Sequence, residues 1–384
     1  MKFSEEVQEA INHKYADLAA ELKAQGKQIV NLCIGEPDFS TPDYVTEATY
    51  QAMKAGFTRY SAAQGLKELR NKIADFVNKD YGCDYTADEV MMAPGIKAAS
   101  FFALCSILEP GDEVVVLSPY YLSYPSMIKL AEPDAKIVVV DMRGDFTLDV
   151  EALRNAVNKK TKCIMVNTPN NPAGTVLTSQ EIKEISSIAL ENDSYLMADD
   201  VYEKLVYAGN KHNSFLSVPE LKKKLLLCNG YSKSHAMTGW RLGYVLADKD
   251  LCKKMALFAQ QTITNTCTFI QKGACAIYEH PWDHLPAYVA SLKERMDYFH
   301  QELNKISYFS GQMPKGGFFY FADISKTGKD SATLCEDLLN QVGVVATPGI
   351  AFGDKWDSYI RFSIAVPMED LQKAVGLLKD YKVC

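Results

Sequence analysis

Long apolar runs are missing from this sequence. No hydrophobic stretch approaches about 18 residues, which excludes a bilayer-spanning helix. Close cysteine spacing is missing as well. The ten cysteines stand at 33, 83, 105, 163, 228, 252, 267, 275, 335 and 384, with no C-x-x-C pair and no compact disulfide framework. Several lie in apolar runs, such as Cys163 in KCIMVN and Cys228 in LLLCNG, and read as reduced, buried thiols of a cytoplasmic protein. His280 and His284 have a helical i,i+4 spacing, but HPWDH carries a proline between them. They read as turn or helix-start residues, and no metal site is expected. A basic surplus is absent: 41 Lys and Arg face 48 Asp and Glu, a net charge of −7. That argues against non-specific binding to nucleic acid or to a membrane surface. Repeats and low-complexity linkers are lacking too.

What is present is an ordinary globular composition, 47% hydrophobic and 23% charged over 384 residues. At roughly 100–200 residues per domain this allows two or three domains, or one large α/β unit. The first 26 residues are charged and periodic, which predicts a helix rather than a signal peptide. Short aliphatic or β-branched runs at 88–93, 113–118, 136–141, 162–167, 194–199, 224–229 and 242–247 read as strands. Most suit burial on both faces, and amphipathic stretches such as 179–192 lie between several of them. This alternation predicts βαβ units and a mostly parallel sheet. From about 285 a long helix, GGFFYFADI, a helix at 331–342 and YIRFSIAV predict a smaller α+β domain. The expected division is a large domain over 48–284 and a small domain from 1–47 with 285–384.

Ligands of open parallel sheets bind beyond the carboxyl ends of the strands. Four strands here run into polar or glycine-rich clusters: Pro119-Tyr120-Tyr121, Thr168 to Gly174, Asp199-Asp200-Val201-Tyr202 and Gly230-Tyr231-Ser232-Lys233. Single clusters of this kind can be turns, but four on one rim point to a ligand site. Asp199 closes an apolar strand, so its carboxylate needs a cationic or hydrogen-bonding partner. Lys233 also follows a buried strand, and a desolvated lysine is a nucleophile toward carbonyls. Arginine is scarce, seven against 34 lysines, so Arg241 beside a glycine turn suggests recognition of phosphate or carboxylate. Gly95-Ile96-Lys97 opens a helix, a favourable place for an anion. An aldehyde, a phosphate, a basic ring nitrogen and a flat ring would satisfy these groups together. Pyridoxal 5'-phosphate has all four.

The stretch Gly230-Tyr231-Ser232-Lys233-Ser234-His235-Ala236-Met237-Thr238-Gly239-Trp240-Arg241-Leu242-Gly243 resembles the lysine-attachment signature of class I/II aminotransferases. Gly35-Glu36-Pro37-Asp38-Phe39, Pro169-Asn170-Asn171-Pro172-Ala173-Gly174, Asp199-Asp200-Val201-Tyr202 and Arg361-Phe362-Ser363 resemble that family in the same order. The resemblance runs from about position 28 to the end. It implies a fold-type I pyridoxal-phosphate enzyme, and a homodimer with active sites shared at the subunit interface.

Carried over by position, the resemblance implies that Lys233 holds the cofactor as a Schiff base and moves the Cα proton. Asp199 would pair with the ring nitrogen. Asn171 and Tyr202 would bond the ring hydroxyl, and Tyr121 would stack on the ring. Ile96, Lys97, Arg241 and Ser232 would bind the phosphate, with Tyr60 reaching the partner subunit's phosphate. Arg361 would clamp the substrate α-carboxylate, with help from Gly35. Lys97 is similar to a lysine that meets the distal carboxylate of acidic substrates in one branch, which favours aspartate. An aromatic or broad-specificity aminotransferase and a C–S β-lyase are the alternatives. Asn171-Pro172-Ala173-Gly174, Asp199-Asp200 and His235 depart from the usual pattern beside the chemical residues.

Overall fold

The computed structural model describes residues 11–280 and 282–383, so Cys384 and the first ten residues of the expected N-terminal helix lie outside the described residues. The helix Ile11–Ala24 follows, and then a short strand, β1 (Val30–Asn31). Seven strands make the main sheet: β2 (Val90–Ala93), β3 (Glu113–Ser118), β4 (Lys136–Asp141), β5 (Thr161–Asn167), β6 (Tyr195–Asp199), β7 (Leu225–Gly230) and β8 (Gly243–Leu246). Their spatial order is β2-β8-β7-β6-β5-β3-β4. Only β8 runs against its neighbours, pairing antiparallel with both β2 and β7.

Both faces of the sheet are dry apart from the edge strand β4, which explains the continuous apolar runs of the inner strands. Val115, Leu117, Ile164, Val166, Leu196 and Ala198 join one hydrophobic cluster. Their alternating neighbours Val114, Val116, Cys163, Met165 and Met197 join the cluster on the other face. Helices cover each face. Ser179–Glu191 buries Ile182, Ile185, Ile188 and Ala189 at helical spacing. Thr178 caps it by accepting from the Glu181 amide, while the Glu181 carboxylate accepts in return from the Thr178 amide. Such a cap is worth about 1 kcal/mol.

The remaining strands, β9 (Phe319–Asp323), β10 (Val344–Val345), β11 (Thr347–Pro348) and β12 (Tyr359–Ser363), form a second, smaller assembly. Its antiparallel order is β11-β12-β9, while β1 pairs in parallel with β10. The helices Leu285–Leu303 and Met368–Asp380 pack on it around a separate hydrophobic cluster. The expected helix at 331–342 is α-helical over Ser331–Asp337 and π-helical over Leu338–Val342. His284 stands just before the helix Leu285–Leu303, as a helix-start residue. The expected border at 47/48 cuts through the helix Asp43–Lys54. That helix starts after Pro42 and packs against Thr268–Ala274, because its buried face of Val45, Thr49 and Ala52 needs a cover. Among the described residues no helix is long and apolar enough to cross a membrane.

Candidate active site

The carboxyl ends of β5, β6 and β7 open on one cavity of about 360 Å³. Asp199 closes β6 at its floor and is 8% exposed. Its Oδ2 accepts from the Tyr124 hydroxyl at 2.7 Å, and its Oδ1 accepts from the Val201 amide at 3.3 Å. Among the described residues, no lysine, arginine or histidine lies within ion-pair distance of it. Burial pushes its carboxyl up to about 6; the Tyr124 and Val201 bonds and Lys233 oppose that, while the neighbouring Asp200 adds to it.

Lys233 follows β7 across the same cavity, and its Nζ donates to the Gly35 carbonyl at 2.6 Å. Burial pulls its ammonium down to about 8, aided by Arg361 and Arg241 and opposed by Glu36 and Asp199. An amine in that range is partly neutral, and so nucleophilic, near physiological pH. Arg241 sits on the same connection with φ +57°, an uncommon conformation for a side-chain-bearing residue. Its guanidinium donates to the carbonyls of Thr238 (2.8 Å) and Pro94 (3.3 Å). This places the cation against Gly95, which precedes the helix Ile96–Ile107. Gly95 has φ +85°, and a Cβ there would come within 2.8 Å of Arg241 Cζ. The free amides of the helix start and the guanidinium together form an anion cradle.

Arg361 projects from β12 and is 2% exposed. Its Nη1 donates to Asn171 Oδ1 at 2.9 Å, and its Nη2 donates to the Cys33 carbonyl at 2.7 Å and Thr347 Oγ1 at 3.1 Å. The rings of Phe319 and Phe352 lie 4.2 and 5.1 Å from its Cζ. Nε has no partner. Burial lowers the group to about 10, so it stays charged at neutral pH. A buried, charged guanidinium with an unused donor calls for a planar anion. Gly35 passes directly over Phe319, where a Cβ would fall 2.7 Å from the ring.

Eleven of the twelve residues expected from sequence line this cavity: Gly35, Ile96, Lys97, Tyr121, Asn171, Asp199, Tyr202, Ser232, Lys233, Arg241 and Arg361. Tyr202 is buried, edge-on to Phe318 and Phe319. Lys97 Nζ lies 5.7 Å from the centre of the Tyr121 ring. Tyr60 is apart from them, 86% exposed in a separate hollow with Arg59, Gly65 and Lys67. Sequence reasoning missed several lining residues. Tyr124 holds Asp199 from 75 positions away. Asn167 accepts from the Asn171 amide at 2.6 Å and donates to the Asp199 carbonyl at 2.9 Å. Thr238 donates to Glu36, tying the 35–39 stretch to the Arg241 loop.

Comparison with known proteins agrees with this geometry. The family model for aminotransferase class I and II matches residues 27–378. The aspartate aminotransferase of Bacillus subtilis is 34% identical over 94% of this chain and 93% of its own length. The solved aspartate aminotransferase of Thermus thermophilus with maleate superposes with a TM-score of 0.91 at 33% identity, over 97% of each chain. The aromatic aminotransferase of Pyrococcus horikoshii superposes at 0.89 with 32% identity, over 94% of this chain and 98% of that one. A match of this extent on a doubly covered, mostly parallel sheet identifies the chain as a member of the class I and II aminotransferases, enzymes that transfer amino groups.

Proposed function

We propose that this protein is a pyridoxal 5'-phosphate-dependent amino-acid aminotransferase. It takes the α-amino group of an L-amino acid, aspartate favoured, and passes it to a 2-oxo acid such as 2-oxoglutarate. The observation that carries the reading is one cavity shared by a depressed lysine amine, a buried carboxylate, an anion cradle and a buried arginine fork.

The residues present fit the cofactor. Asp199 lacks a cationic partner and would gain one in a protonated ring nitrogen. The Gly95–Arg241 cradle matches a phosphate, and Lys233 matches an aldehyde. When bound, pyridoxal phosphate supplies an electron-withdrawing ring conjugated to the amine. The chain's own residues do the rest. Asp199 keeps the ring nitrogen charged. Asn171 gives its Oδ1 to Arg361, which leaves its Nδ2 protons to donate to the ring hydroxyl with Tyr202. Tyr121 would cover one ring face, and Ile96, Lys97, Ser232 and Arg241 would hold the phosphate. Arg361, with the Gly35 amide, orients the α-carboxylate so that the Cα–H faces Lys233, whose Nζ moves that proton.

Lys97 at the cavity wall, with the aspartate aminotransferases among the relatives, supports an acidic donor. The aromatic lining of Tyr121, Tyr124 and Phe319 supports an aromatic donor as the second reading. The proposal includes a cytoplasmic homodimer in which Tyr60 serves the partner subunit's phosphate. Its large part begins with the helix Asp43–Lys54, and its small part joins the N-terminal segment to 285–384.

The test adds each amino acid singly to the protein loaded with pyridoxal phosphate and follows the absorbance change to the amino form. Borohydride should add the cofactor's mass to the wild type but not to Lys233→Ala, which should also lose transamination. Full activity in Lys233→Ala would sink the assignment.

A further inference from the structure

Asp200 stands immediately after the floor carboxylate, yet its side chain meets a different set of partners and is 1% exposed. His212 Nε2 lies 3.2 Å from Asp200 Oδ2, and the Ser214 hydroxyl donates to the same oxygen at 3.3 Å. Side-chain atoms of Asp200, Glu203 and His212 all fall within 4.8 Å of one another, but among the described residues the imidazole bonds Asp200 alone, and its Nδ1 and the Asp200 Oδ1 are buried without partners. None of these residues lines the cavity, and the proposed reaction leaves them without a role.

The charges around this ring can be counted. Glu203 accepts from the Tyr81 hydroxyl at 2.7 Å and has Lys204 Nζ at 3.9 Å. Tyr244 and Tyr278 flank the same region and remain neutral, held high by burial. Lys204 lies nearer to Asp80, at 3.3 Å, so those two charges offset each other. Asp200 and Glu203 bring two negative charges, and with a neutral imidazole the set carries two net negative charges, one of them a single residue from Asp199. With an imidazolium paired to Asp200 it carries one. Burial alone pulls the His212 ring down, but Asp200 and Glu203 more than offset that, and the net direction is upward. Asp200 in turn is one of the groups that raise Asp199.

We propose that His212 is a positioning residue for this site: as an imidazolium paired with Asp200, it cancels the Asp200 charge beside Asp199 and so keeps Asp199 ionised for the ring nitrogen of the cofactor. The proposal rests on the pyridoxal-phosphate reading above. His212 touches neither substrate nor cofactor and acts through Asp199.

The experiment compares cofactor-free wild type, His212→Gln, Asp200→Asn and the double variant. Pyridoxal-phosphate affinity is titrated from pH 5 to pH 8. In His212→Gln the loss of affinity on the acid side should move up by about one pH unit, which means up to about tenfold weaker binding near pH 5 and little difference at pH 8, where Asp199 is ionised in both proteins. The double variant, which removes both charges, should recover most of that loss. A His212→Gln protein with wild-type affinity near pH 5 overturns the proposal. So does a double variant as weak as His212→Gln, because a merely structural role would not be rescued by a second deletion. Nuclear magnetic resonance of the cofactor-free wild type gives a separate reading. The His212 ring should titrate above the ordinary histidine value and fall in Asp200→Asn; a ring titrating below that value refutes the idea. Wild type that fails to bind pyridoxal phosphate would refute the cofactor reading instead, and the resonance titration would still decide the charge on His212.

Discussion

Replacing Asp199 with asparagine in the cofactor-free protein should change its stability in a pH-dependent way. Burial raises this carboxyl from the ordinary 3.8 to about 6. The native state therefore binds a proton that the unfolded chain has released between those values. Stability from this group is full below pH 3.8 and is lost as pH rises through about 6. At about 1.4 kcal/mol per pH unit, the gap amounts to about 3 kcal/mol. Asparagine keeps the shape, can accept from the Val201 amide through Oδ1 while its Nδ2 donates to the Tyr124 hydroxyl oxygen, and carries no charge. Asp199→Asn should accordingly gain on the wild type by up to about 3 kcal/mol between pH 4 and pH 8. Urea unfolding of both proteins across that range, without cofactor, measures the difference. Adding pyridoxal phosphate at pH 8 should then reverse the order, because only the carboxylate can pair with a charged ring nitrogen. A difference that does not vary with pH would refute the claim that Asp199 is a buried acid poised for a cationic partner.

Two further outcomes are expected from the other ends of the site. Arg361→Lys should raise KM for the amino acid and the oxo acid alike by on the order of tenfold or more, because a point charge cannot replace a planar fork; steady-state kinetics with unchanged KM for either would remove the residue's role. Gly95→Ala should weaken pyridoxal-phosphate binding and cost about 1–3 kcal/mol of stability, since the residue has φ +85° and its Cβ would meet Arg241; titration of cofactor into the variant checks this, and wild-type affinity would show that the cradle does not hold the phosphate.

The inner strands of the main sheet were legible because both of their faces are dry. A run such as Val114–Leu117 has no polar register to confuse with a surface strand. The site was legible for a related reason: polar residues at the ends of dry strands have few structural uses. What was hidden depends on folding rather than on local pattern. Tyr124 lies in a helix that gives no sign of Asp199, and the only hint was a third tyrosine in YYLSY. The faces of Arg361 are supplied by Phe319 and Phe352, from a strand and a turn that meet only in the small assembly. That the border expected at 47/48 falls within the helix Asp43–Lys54 has the same origin, because the partner of the helix's buried face lies far along the chain. The pairing of Asp200 with His212 bridges twelve positions of irregular chain and follows no periodicity.

The single reversed strand, β8, has a mechanical consequence. A connection between parallel strands must run from the carboxyl-end rim of the sheet back to the amino-end rim before the next strand begins. The chain from β7 to β8 does not cross; it leaves and re-enters at the same rim, and Lys233 and Arg241 both ride on that one excursion. The spacing between the Lys233 amine and the anion cradle is therefore held by a closed loop with both feet in one rigid sheet. Arg361, in contrast, is carried by β12 of the smaller assembly. Any rocking between the two assemblies would move the substrate's carboxylate relative to the amine while the amine and the phosphate keep their distance. The ring would stay in register, and alignment of the Cα–H bond would be the adjustable coordinate.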